Sequence, residues 1–200
     1  MPNTLYFNAR FETSASKLAQ CPQDSVVEVA FAGRSNAGKS SAINTICRQR
    51  QLARTSKTPG RTQLINYFAL GEDRFLVDLP GYGYAKVPMA VQRAWQKNLE
   101  YYLQNREQLQ CLIIVMDIRR PLTEFDWQLI EWCQASGVAL HCLLTKSDKL
   151  SRNQAMKTLF NAQKSLEVNG VEATLQLFSA LKQTGVDDAH ELLDQFFVAS

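Results

Sequence analysis

Two hundred residues, 46% hydrophobic and 20% charged, suffice for one domain with its own core and exclude a disordered or collagen-like chain. The formal net charge of +3 is too mild to demand nucleic acid as a partner, and no stretch approaches the ~18 uninterrupted apolar residues of a membrane-spanning helix. The five cysteines (Cys21, Cys47, Cys111, Cys133, Cys142) show no C-x-x-C or paired ligand spacing. Together with the absence of a secretory pattern in the first thirty residues, this predicts buried, reduced thiols in a cytoplasmic protein.

Residues 1 to 24 are polar and mixed and read as an N-terminal extension, with a short helix expected around Phe11 to Ala19. Residues 25 to 200 read as a single domain. Short apolar runs follow at Val26–Ala32, Leu64–Leu70, Phe75–Val77, Leu112–Met116, Val138–Leu144 and Ala173–Phe178, each of strand length and rich in Val, Ile, Leu and Phe. Segments with helical spacing lie between most of them: Ser40 to Gln49, Pro88 through Leu103, a stretch holding Phe125, Leu129 and Trp132, Asn153 to Val168, and Asp187 to Val198. This alternation predicts an α/β fold of three layers, a six-stranded, mostly parallel sheet with helices on both faces. The second and third runs are separated only by a tight turn at Gly71–Asp73, which predicts a hairpin and one antiparallel edge strand. The polar, basic segment Gln49 to Gln63 is then a long loop, and loops of that length are usually functional or disordered.

Gly33-Arg34-Ser35-Asn36-Ala37-Gly38-Lys39-Ser40, followed by Ser41, fits G-x-x-x-x-G-K-[ST] and stands between an apolar run and a helical pattern. Its glycines let backbone N–H groups approach phosphate oxygens, and the helix N-terminus adds positive partial charge. Lys39 is placed to bridge the β and γ phosphates and the Ser40 hydroxyl to ligate Mg²⁺. Asp78-Leu79-Pro80-Gly81 ends the next apolar run. Its carboxylate suits the same ion and the Gly81 N–H a γ-phosphate.

The base is read elsewhere. Thr145-Lys146-Ser147-Asp148 follows a later strand. An ionised Asp only accepts hydrogen bonds, and guanine offers two adjacent donors, whereas adenine would set a lone pair against the carboxylate. Asp148 therefore selects guanine, with the Lys146 stem along the base plane and the loop Phe178-Ser179-Ala180 offering N–H groups to the guanine 6-oxygen. Three such elements at strand C-terminal ends match where an open α/β sheet binds ligands.

With these residues in view the chain resembles a translation-factor-class P-loop GTPase. KTPGRTQLINYF (57 to 68), DLPGYGYAKVP (78 to 88) and DIRRPLTEFD (117 to 126) are similar to the EngB family, also called YsxC or YihA, over nearly the whole chain. The resemblance implies a bacterial GTPase needed for assembly of the large ribosomal subunit and for normal cell division. It also implies that Thr62 is the switch threonine that ligates Mg²⁺, so that the metal set is Ser40, Thr62 and Asp78 and the catalytic set Lys39, Thr62 and Gly81. Thr58 competes for that position. Gly60, Arg61, Gln63 and Leu64 would line the triphosphate.

Tyr82 stands where Ras-like proteins carry the Gln that orients the attacking water, so slow turnover is expected, on the order of 10⁻⁴ to 10⁻² s⁻¹. Arg54, Arg61, Arg119 and Arg120 are the candidates for a charge-neutralising arginine. Asn36 matches a potassium-ligating position of related GTPases, and its competing explanation is an Asn that tolerates a left-handed turn. Arg48, Arg50, Arg54, Lys57 and Arg61, with no acidic residue among them, suit contact with ribosomal RNA on a large-subunit precursor. The expected partners are thus GTP or GDP and the ribosomal precursor, with no membrane and a monomeric chain. A nucleotide-sensing module with negligible hydrolysis is the alternative.

Overall fold

The computed structural model describes residues 4–54, 64–82 and 88–198. In chain order the elements are α1 (Thr4–Phe7), β1 (Arg10–Ala15), β2 (Val27–Gly33), α2 (Lys39–Ile46), β3 (Ile65–Ala69), β4 (Arg74–Asp78), α3 (Met89–Asn105), β5 (Leu109–Asp117), α4 (Glu124–Ser136), β6 (Ala139–Thr145), α5 (Arg152–Val168), β7 (Thr174–Leu177) and α6 (Val186–Phe197). The strands form one seven-stranded sheet in the order β1-β3-β4-β2-β5-β6-β7. The pairs β4–β2, β2–β5, β5–β6 and β6–β7 are parallel, and β3 runs antiparallel to both β1 and β4.

The three-layer α/β architecture is as the alternation predicts, with two differences. The helix expected around Phe11 to Ala19 is instead strand β1 followed by a single 3-10 turn at Leu18–Gln20. The sheet accordingly has seven strands, not six, and the antiparallel strand β3 lies one position inside the edge. The cause is not local. Without β1, the outer backbone groups of β3 would be an open sheet edge. Pairing of Thr13 with Tyr67 and Ser14 with Asn66 fills it, and Ser14 Oγ donates to Asn66 Oδ1 at 2.7 Å.

Two cores lie against the two faces of the sheet. Along β2 and β5 the side chains alternate between them: Ala30, Ala32, Leu112, Ile114 and Met116 pack toward α3, α4 and α5, while Val29, Phe31, Ile113 and Val115 pack toward α2 and α6. That period of two, with every residue of β2 buried, is what a central parallel strand requires. The chain ahead of the sheet is fastened to the second core. The Tyr6 hydroxyl donates to Asp194 Oδ1 at 2.6 Å, and the Gln49 side-chain amide donates to the carbonyls of Phe7 and Ala9. All five cysteines are free and buried, and burial pushes the thiols of Cys47, Cys111, Cys133 and Cys142 up to about 12, which leaves them inert. Among the described residues no helix is long and apolar enough to cross a membrane.

One buried charge sits at the N-terminal end of β2. Glu28 is fully buried, and its carboxylate accepts from the Arg106 guanidinium and from the Tyr102 hydroxyl at 2.9 Å. Arg106 also donates to the Pro22 carbonyl at 2.6 Å. The pair is thus hydrogen-bonded on both sides, which is the condition for a buried ion pair to persist.

His141 on β6 is 3% exposed, and burial lowers its imidazole to about 4 from an ordinary 6.5. Above 6.5 the ring is neutral folded and unfolded alike. As the pH falls through 6.5 the unfolded chain takes a proton that the folded chain refuses, so stability declines until about pH 4, by about 3 kcal/mol in all. In His141→Gln, which stays neutral, the loss of unfolding free energy between pH 7 and pH 4.5 in denaturant titrations should be smaller by about 2 kcal/mol.

Candidate functional site

The C-terminal ends of β2, β4, β5 and β6 meet at one edge of the sheet, because parallel pairing sets Phe31 beside Asp78, Gly33 beside Val115, and Asp117 beside Thr145. Gly33 is forced by this approach. A Cβ there would lie 2.8 Å from the Val115 carbonyl oxygen, so only glycine lets β2 run beside β5 to the start of the loop. From Arg34 to Gly38 the chain then turns, with Asn36 at φ +64° and Gly38 at φ +97°, before α2 begins at Lys39. Asn36 lies in the left-handed region, which asparagine adopts more readily than most residues.

The turn is held from behind. The Thr145 hydroxyl donates to the Ala37 carbonyl, and Lys146 Nζ donates to the Asn36 carbonyl at 2.6 Å. Ala37 N donates to Arg34 O at 2.9 Å. With these carbonyls engaged on the outer side, the loop and the first turn of α2 present a concavity suited to an anion. Lys39 lies there with its ammonium against the Asp78 carboxylate. Burial lowers the Lys39 ammonium to about 7, and the adjacent carboxylate opposes that shift. Ser40 Oγ lies 3.5 Å from the Arg54 carbonyl, and Ser41 is exposed on the next position of α2. Leu79 N donates to Phe31 O at 3.0 Å, which keeps Leu79 and Pro80 on the β4 path, and Gly81 leads into Tyr82, whose carbonyl accepts from Ser35 N at 2.7 Å.

Asp148 stands in the 3-10 turn Ser147–Lys149 directly after the strand that holds the loop. Its carboxylate accepts from Ser179 Oγ at 2.5 Å, and that hydrogen bond holds its pKa below the ordinary carboxylate value. The group is therefore an ionised acceptor at neutral pH. Phe178 N donates to Leu144 O at 2.8 Å and Ser147 N to Phe178 O at 3.1 Å, so the Phe178-Ser179-Ala180 loop is bound to the Asp148 turn. Leu64 immediately precedes β3. Thr58, Gly60, Arg61, Thr62 and Gln63 lie outside the described residues.

Asp117 is a site residue whose part the residue pattern does not reveal, although it closes an apolar strand just as Asp78 does. It accepts from Lys146 Nζ at 2.9 Å and from the Arg119 backbone and guanidinium, and the Arg119 hydrogen bond leads in pulling its carboxyl far below the usual range. Arg119 is thereby committed to Asp117. Arg34, Arg120 and Lys146 line, with Asp117 and Asp126, a cavity of about 690 Å³ beside the loop. For a divalent cation the fitting donors are the Ser40 hydroxyl and the Asp78 carboxylate, hard oxygens of the kind Mg²⁺ takes alongside phosphate and water. Among the described residues no group of three or more His, Cys, Asp or Glu side chains could hold a metal by itself.

Comparison with known proteins gives the same picture. A family model described as the 50S ribosome-binding GTPase matches residues 28–146. The chain is 54% identical over 192 residues to a probable GTP-binding protein EngB of Coxiella burnetii (strain RSA 331), covering 96% of this chain and 94% of that one. It is 51% identical over 197 residues to the corresponding protein of Nitrosomonas europaea, covering 98% and 89%. A crystal structure of a probable GTP-binding protein engB shares the fold at 19% identity, with a TM-score of 0.66 over 84% of this chain and 97% of that one.

Lys146→Met keeps the aliphatic stem and deletes the ammonium that braces Asn36 and Asp117. GDP and GTP affinities measured by calorimetry should fall together by about tenfold, since a charge-assisted bond of this kind carries about 1.5–3 kcal/mol. Unchanged affinity for both would show that the loop holds its shape without the brace.

Proposed function

This chain belongs to the EngB family of GTP-binding proteins, and we propose that it hydrolyses GTP slowly and uses the GTP-to-GDP step as a switch in assembly of the large ribosomal subunit. The observation that carries the reading is the ionised Asp148, oriented by Ser179 and built on the same strand end whose Thr145 and Lys146 hold the phosphate loop. In this reading Gly33 through Ser41 take the phosphates, Asp148 takes the two guanine donors, and residues 178–180 meet the 6-oxygen. When bound, Mg²⁺ neutralises charge on the phosphates. Ser40 and Asp78 would hold it, joined by Thr62. Bound phosphates would give Lys39 anionic partners in place of Asp78, which would free the Asp78 carboxylate for the cation.

The Tyr82 side chain supports slow turnover. It is 2% exposed and turned into the core, and a phenol has no amide with which to orient water. The same observation favours the second reading, a GTP/GDP-sensing module with negligible hydrolysis. Stimulation of turnover by ribosomal particles separates the two. The basic residues from Arg48 to Arg61 stand just ahead of Thr62 in the sequence, so their contact with ribosomal RNA of the large-subunit precursor would depend on the bound nucleotide. The resemblance to the family extends the reading to a monomer acting in the cytoplasm and needed for normal septation.

The base assignment is tested with Asp148→Asn. An amide at this position donates to the 2-oxygen of xanthine, so binding preference should move from GTP toward XTP, and an unchanged preference would sink the assignment. Turnover in KCl against NaCl assigns the Asn36 side chain. Faster hydrolysis in KCl places a monovalent cation there, and equal rates leave Asn36 its turn conformation alone.

A further inference from the structure

We propose that Tyr82 and Asp126 form a latch that positions Gly81 for the γ-phosphate, making an α4 carboxylate that touches no nucleotide a determinant of GTP over GDP. The proposal rests on the GTP-binding reading above and deepens it. Three kinds of contact converge on Tyr82. Its backbone is stitched to both sides of Arg34, with Tyr82 N donating to Gly33 O at 3.3 Å and Ser35 N donating to Tyr82 O at 2.7 Å. Its ring lies 5.9 Å from Trp95 of α3 and 5.9 Å from Phe125 of α4. Its hydroxyl donates to Asp126 Oδ1.

The last contact is the informative one. Asp126 closes the capping box of α4 through Oδ2 alone, which accepts from Thr123 N at 2.7 Å and Thr123 Oγ1 at 2.8 Å. Capping leaves Oδ1 free, and Oδ1 is the oxygen bound to Tyr82. Packing does not call for the hydroxyl either, because a Phe ring would occupy the same space between Trp95 and Phe125. Asp126 is 2% exposed and Tyr82 equally so, and a bond between a phenol and a carboxylate shielded from water is stronger than one at the surface. Burial also holds the Tyr82 proton in place as the donor.

The consequence follows from chain connectivity. The Gly81 N–H belongs to the Pro80–Gly81 peptide, which spans two anchored residues, Leu79, whose N–H donates to Phe31 O at 3.0 Å, and Tyr82, so holding Tyr82 by main chain and side chain together limits where that N–H can point. GTP meets that N–H through its γ-phosphate, and GDP has nothing there. Without the latch GTP must order the segment when it binds, and GDP need not. The arrangement also joins the two stretches 78–88 and 117–126, whose text is similar to the EngB family but which phosphate and base contacts leave only partly explained.

The test uses the full chain and measures dissociation constants for fluorescent GDP and for a non-hydrolysable GTP analogue. In Tyr82→Phe the analogue should bind about tenfold more weakly, about 1.4 kcal/mol, while GDP binding stays within about twofold. Asp126→Asn keeps an acceptor for Thr123 and should shift the ratio in the same direction by less, and the double variant should be no worse than Tyr82→Phe. Equal weakening of both nucleotides, or a lower melting temperature with an unchanged ratio, would mean a purely structural hydroxyl and would overturn the latch. If the wild type binds neither nucleotide, the GTP-binding reading falls with it. A wild type that binds both, with an unchanged ratio in Tyr82→Phe, sinks the latch alone.

Discussion

The functional edge of this protein depends on two hydrogen bonds given by the end of β6 to the back of the phosphate loop, from Thr145 to Ala37 O and from Lys146 to Asn36 O. A loop that turns its N–H groups inward must send carbonyls the other way, and carbonyls without donors would leave that shape unsupported. β6 supplies the donors. Three residues beyond Thr145 comes Asp148, so the elements proposed for phosphate and for base share one short piece of chain. Their separation is set by strand register, not by loop flexibility, because β2 is paired to β5 and β5 to β6 up to the last residue of each.

Buried charge is treated differently at the two ends of the sheet. At the N-terminal end, Glu28 is enclosed by Arg106 and Tyr102, and Arg106 also donates to the Pro22 carbonyl. That cluster is closed. At the C-terminal end, Lys39 and Asp78 pair with each other, and their side chains keep 11% and 7% of their surface. Asp117 is intermediate. It is secured by Arg119 and Lys146, and through Lys146 it fixes the loop carbonyl of Asn36.

Tyr82 shows how a position can give up one chemistry and gain another. A phenol cannot orient water as an amide does, and here it points away from the phosphate edge into a pocket between α3 and α4. Its hydroxyl nevertheless reaches the one oxygen of Asp126 that helix capping leaves open. The result ties the phosphate loop, the chain after β4 and the start of α4 at a single residue.

What was legible in the residues alone was local. The alternation of apolar runs with helical spacing, the phosphate loop between a strand and a helix, the carboxylate closing β4 and the Asp after β6 are all patterns within a dozen residues, and dihedral preference, side-chain period and turn chemistry act over that range. What tertiary structure decided were the partnerships. β1 is a strand because β3, some fifty residues on, has an edge to fill, as the Ser14–Asn66 bond shows. Lys146 braces a carbonyl 110 residues away, and Tyr82 finds its acceptor 44 residues on. No local pattern encodes such pairs, because a hydrogen bond between distant residues exists only once the sheet has set their strands side by side.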